Sequence, residues 1–84
     1  MSTKRRTRAG ALIKRTREAK GWSQLEFGKM LGFKRGNFIC MVESGQSDLP
    51  FEKIPIVCEL LDLDPRELLR EAMSSRYPNL VKYL

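Results

Sequence analysis

A chain of 84 residues, 42% of them hydrophobic, can bury one modest core and not two. Two cysteines and no histidine exclude a disulfide framework and a zinc site, and no apolar run approaches the roughly 20 residues that span a bilayer. The formal charge of +6 is polarised: residues 1–35 hold eleven Lys or Arg against two acids, and residues 36–84 hold five against eight. Such a balance fits a polyanionic partner better than general solubility does.

Residues 1–8 carry no apolar side chain beyond Met1 and cannot pack, so disorder is expected when they are free. Lys4, Arg5, Arg6 and Arg8 make them either a basic arm that follows phosphates or enters a minor groove, or a solubilising tail. From Ala9 to Lys20 the spacing predicts a helix, with Ala9, Leu12, Ile13 and Thr16 inward and Gly21 as its stop. Ser23 and Glu26 form a capping box, so a second helix starts at about Gln24. Leu25, Phe27, Met30 and Leu31 supply its apolar side, and Gly32 ends it.

After Phe33-Lys34-Arg35-Gly36, the set Phe38, Ile39, Val42 predicts a third helix, closed by Gly45. Helix, glycine-containing turn and helix is the arrangement in which one helix braces while the next enters the major groove of DNA. Gln46, Ser47 and Asp48 form a loop, with Asp48 expected to cap the next helix. A fourth helix is expected from about Phe51 to Leu61, regular only after a looser first turn because Pro55 is tolerable only near a helix start. Asp64-Pro65-Arg66-Glu67 is a strong start for a fifth, whose inner face is Leu68, Leu69 and Ala72. In residues 74–84, Tyr77, Leu80, Val81, Tyr83 and Leu84 are either an association surface or a terminal turn folded back on the same subunit. Cys40 and Cys58 are expected as small buried hydrophobes in a reducing cytoplasm. The basic amino terminus has no apolar segment behind it, so a signal peptide is not expected.

The order Arg17…Gly21-x-Ser23-Gln24-x-x-Phe27-Gly28-x-x-Leu31-Gly32…Ile39-x-x-Val42-Glu43-x-Gly45 resembles the helix-turn-helix family of phage lambda-type repressors, Cro proteins and XRE regulators. The likeness spans roughly residues 9 to 69, and the interval from Gly32 to Glu43 is one residue longer than the family's usual spacing. It implies an all-α, five-helix, lambda-repressor-like domain over residues 9–73, with room for a short sixth helix in the tail. It also implies that Arg17 pairs with Glu43 to clamp the first helix to the third. Backbone contacts are implied for Gln24, at the start of helix two, and for Gln46 and Ser47 through main-chain amides and short side chains.

Base readout belongs to the amino-terminal half of the third helix. Asn37 is the first candidate, because an amide can pair with both N6 and N7 of adenine. Arg35 and Lys34 come next, and Met41 lies one turn on from Asn37 for apolar contact; Phe38 either meets a thymine methyl or belongs to the core. The expected function is sequence-specific binding of double-stranded DNA by a cytoplasmic homodimer that regulates transcription, most simply by repression. An adaptor or antitoxin-type protein built for protein contact is the alternative. No cofactor, metal or membrane is expected, and neither is an enzyme: without histidine, paired acids in a cleft or a phosphate loop, a nucleophile has no base.

Overall fold

The computed structural model describes residues 7–34 and 37–84. Among them are five α-helices and no strand: α1 Arg8–Ala19, α2 Gln24–Met30, α3 Asn37–Ser44, α4 Ile54–Leu61 and α5 Pro65–Arg76. Short 3-10 turns at Phe51–Lys53 and Val81–Tyr83 precede α4 and close the chain.

Local chemistry sets most of the boundaries. Thr7 caps α1 by accepting from the Gly10 N–H, so helix begins at Arg8 rather than Ala9. Thr7 and Arg8 thus belong to the folded domain, which corrects the extent expected of the basic arm; residues 1–6 fall outside the described residues. In the capping box of α2, Ser23 accepts from the Glu26 N–H at 3.0 Å while Glu26 accepts from the Ser23 N–H at 2.8 Å. Pro55 stands in the first turn of α4, after the 3-10 turn, where its missing N–H costs no helical bond. Asp64 caps α5 through the Arg66 N–H. Gly21, Gly32 and Gly45 have φ of 78°, 86° and 84°, the left-handed conformation that ends α1, α2 and α3.

The core is Ala9 and Ile13 of α1, Phe27 of α2, Leu31 at its end, Ile39 and Val42 of α3, Ile54, Val57, Cys58 and Leu61 of α4, and Leu68 and Ala72 of α5, with Leu49 from the loop. Leu12, Phe38, Phe51 and Leu69 pack against it half-buried, and Thr16, also half-buried, returns its hydroxyl to the carbonyls of Leu12 and Ile13.

Three expectations fail. Leu25 and Met30 are 49% and 40% exposed, because a seven-residue helix turns only Phe27 and Gly28 fully inward. Cys40 is exposed, since α3 points Ile39 and Val42 at the core and its opposite side at solvent; Cys58 is buried. Asp48 caps neither the 3-10 turn nor α4 and instead pairs with Arg76, Nε to Oδ2 at 3.2 Å.

α3 lies against both α1 and α2, and α1 also touches α5. The α1–α3 approach is close at Gly10, where an added Cβ would sit 2.7 Å from the Val42 carbonyl oxygen and 2.9 Å from that of Glu43. No helix among the described residues is long and apolar enough to cross a membrane.

Candidate nucleic-acid interface

The outer side of α3 is built from Asn37, Cys40, Met41 and Ser44, spaced so that they share one helical face. Asn37 and Cys40 are exposed and Met41 and Ser44 half-buried, while Ile39, Val42 and Glu43 face inward. Asn37 is the first residue of the helix, so its side chain stands at the end nearest the α2–α3 turn. Lys34 is exposed in that turn; Arg35 lies outside the described residues. Phe33, Lys34, Asn37, Phe38, Met41 and Pro50 line a shallow depression beside α3. Phe33 and Phe38 meet there with ring centroids 4.5 Å apart, which keeps Phe38 half-buried.

Beneath this face a buried polar network fixes α3. Arg17 Nε donates to Glu43 Oε2 at 2.6 Å and its Nη2 to Oε1 at 3.2 Å, a two-point bond of guanidinium to carboxylate. The two side chains are only 8% and 3% exposed. Arg17 Nη1 also donates to the Trp22 carbonyl at 2.7 Å, and Gln24 Nε2 donates to Glu43 Oε1 at 2.9 Å. One carboxylate thereby joins α1, the α1–α2 turn, α2 and α3. The hydrogen bond that Arg17 donates to Glu43 is the main reason that the Arg17 pKa is raised above its ordinary value, with burial opposing it. Among the described residues no buried side-chain polar atom lacks a partner.

Gln24 is half-buried and commits its amide N–H to Glu43, so it reaches the surface only in part. At the other end of α3, the N–H groups of Gln46 and Ser47 both donate to the Met41 carbonyl, at 2.8 and 3.1 Å. Those two main-chain amides are spent on closing the helix, which corrects the expectation that they offer themselves to a phosphate; their side chains remain, Gln46 exposed and Ser47 half-buried. Exposed Arg8 belongs to α1 rather than to an arm, while Lys4, Arg5 and Arg6 lie outside the described residues.

Sequence reasoning misses three features of this face. Cys40, expected in the core, stands three residues after Asn37, and that spacing puts it on the outer face. Ser44 joins it by the same helical spacing. Lys14 of α1 is exposed and lines a second depression together with Gln24, Cys40 and Ser44, a role its own position in the chain does not reveal.

The chain matches the model of the helix-turn-helix family over residues 13–68. Its structure is similar to that of the restriction-modification controller protein C.AhdI from Aeromonas hydrophila, with 31% identity, 74% of this chain and 88% of that chain covered, and a TM-score of 0.63. It is similar also to the clp gene regulator ClgR from Corynebacterium glutamicum, at 24% identity, 80% and 86% coverage and a TM-score of 0.61, a likeness of fold alone. No curated protein matches the chain in sequence. With its five helices and its match over residues 13–68, the chain belongs to the helix-turn-helix family of the XRE and lambda-repressor type.

Proposed function

We propose that this protein binds duplex DNA in a sequence-dependent manner, as a symmetric dimer, and regulates transcription by occupying a promoter. The observation that carries this reading is the outer face of α3, which presents Asn37, Cys40, Met41 and Ser44 while a buried four-way network locks the helix from behind. A helix so held offers base-reading side chains at low entropic cost. The relative at 31% identity supports regulation, being a restriction-modification controller protein.

Asn37, Lys34, Arg35 and Met41 serve base recognition in this proposal, and Gln24, Gln46, Ser47, Lys4, Arg5, Arg6 and Arg8 serve the backbone. The folded unit then carries the groove-facing helix, residues preceding Thr7 add phosphate contacts, and residues 74–84 supply the dimer contact. For the last, Tyr77, Leu80, Tyr83 and Leu84 are 48%, 50%, 76% and 53% exposed within eleven residues of chain. Half-sites should lie about 10 base pairs apart.

Selection of genomic fragments followed by footprinting provides the operator on which the reading is tested. Asn37→Ala should then cost about 1–3 kcal/mol on that operator and little on random duplex. Equal losses on both would place Asn37 away from the bases, and a single isolated half-site bound 1:1 would refute the dimer.

A further inference from the structure

Arg76, the last residue of α5, stands far from Asn37 in sequence. Its guanidinium makes three contacts. Nη2 donates to the Leu49 carbonyl at 2.7 Å, Nε pairs with Asp48 Oδ2 at 3.2 Å, and the guanidinium carbon lies 4.2 Å from the centroid of the Phe51 ring. The three contacts address three parts of one segment: the Asp48 side chain, the Leu49 main chain and the Phe51 ring. A place over the ring and a fork of N–H donors hold the group at several points, which an ammonium ion does not achieve. The side chain is 18% exposed.

This segment continues the loop that leaves α3. At its near end, Gln46 and Ser47 are tied to the Met41 carbonyl; at its far end, Leu49 is buried, 6% exposed. Between the two anchors, Arg76 links the loop to α5 through polar contacts. It also neutralises Asp48, whose carboxylate would otherwise repel a phosphate near Gln46 and Ser47.

We propose that Arg76 is a positioning residue for DNA-backbone contact: it holds the loop after α3 at the height and tilt at which Gln46 and Ser47 meet a phosphate. The proposal rests on the reading that this loop faces the DNA backbone. It also ties that contact to the end of α5, one residue before the apolar tail begins at Tyr77.

The test uses the full chain and operator duplexes in which single phosphates are replaced, one at a time, by neutral methylphosphonates. Gln46→Ala and Ser47→Ala identify the phosphates that the loop serves, as those whose neutralisation no longer matters in the variant. Arg76→Met and Arg76→Lys are then measured in an Asp48→Asn background, so that the freed carboxylate contributes nothing. The expected result is loss of sensitivity at those same phosphates in both Arg76 variants. Sensitivity at the start of α2 and base preference at the Asn37 position should persist.

Arg76→Lys keeps the charge and most of the bulk, so it reports even where Arg76→Met fails to fold. Unchanged phosphate sensitivity in folded Arg76→Lys would overturn the positioning role. If Gln46→Ala and Ser47→Ala also leave every phosphate as sensitive as before, the loop reading itself falls and takes this proposal with it.

Discussion

Removing Arg17 alone should cost more stability than removing Arg17 and Glu43 together. The pair is bound at two points, with side chains 8% and 3% exposed. For unit charges about 4 Å apart near a protein surface the attraction is about 4 kcal/mol, and desolvation of both ions takes back a similar amount. The intact pair therefore adds little net stability. Arg17→Met changes the balance, because Glu43 keeps only the neutral amide of Gln24 as a donor and remains enclosed. An uncompensated buried charge costs about 3–5 kcal/mol. A domain of 84 residues has about 4–13 kcal/mol in all, so the single variant should lose a large share of its stability.

Arg17→Met/Glu43→Met should recover most of that loss, since two apolar side chains of similar length fill the volume without charge. Urea denaturation of the two single variants, the double variant and the parent closes the cycle, with unchanged slopes confirming that only stability has moved. Additive single losses of about 0–1 kcal/mol each would refute the reasoning, because that is how exposed and independent charges behave.

Gly10→Ala, which in an ordinary helix gains about 0.5–1 kcal/mol, should here destabilise by about 1–2 kcal/mol in the same assay, because the new Cβ would sit 2.7 Å from a backbone oxygen of α3. A thiol reagent should label Cys40 rapidly and Cys58 slowly, since Cys58 is 3% exposed and burial raises its pKa; bound operator should protect Cys40. Glu26, held below its ordinary pKa by the Ser23 N–H and then by the Ser23 hydroxyl, should titrate higher by NMR in Ser23→Ala. Its contribution is present above the unfolded-state pKa and fades as pH falls through the lower folded one, so the gap in stability between parent and Ser23→Ala should narrow with acid.

What the sequence makes legible is what neighbours in the chain decide. The capping box at Ser23 and Glu26, the Asp64-Pro65 start and the glycine stops all act within four residues, and each helix lies close to where they put it. Side-chain direction is less legible where a helix is short. Spacing offers Leu25, Phe27, Met30 and Leu31 as one side of α2, but in seven residues only Phe27 and Gly28 are enclosed, with Leu31 just beyond, and the face cannot be as wide as its apolar residues suggest. Contacts between distant parts of the chain leave no local trace. Neither the Arg76 linkage to Asp48, Leu49 and Phe51 nor the need for a hydrogen at Gly10 can be read from composition, since each depends on where separate elements meet. Arg17 and Glu43, 26 residues apart, are joined in the sequence only by the family pattern.

If α3 reads the bases as proposed, its brevity limits how much information one copy can extract from DNA. Eight residues rise about 12 Å, which along B-DNA spans about four base pairs. Four fully specified pairs amount to about 8 bits, and a dimer as proposed would read about 16. Singling out one address among the ~10⁶ competitors in even a small genome takes about 20 bits. Lys34 and Arg35, which precede α3, can add some of the shortfall, and in the proposed dimer the rest would come from bases that no side chain touches, through the stiffness and groove width of the DNA between the half-sites. A comparison of operators with identical outer halves and altered central steps should therefore reveal selection where a contact map would be blank.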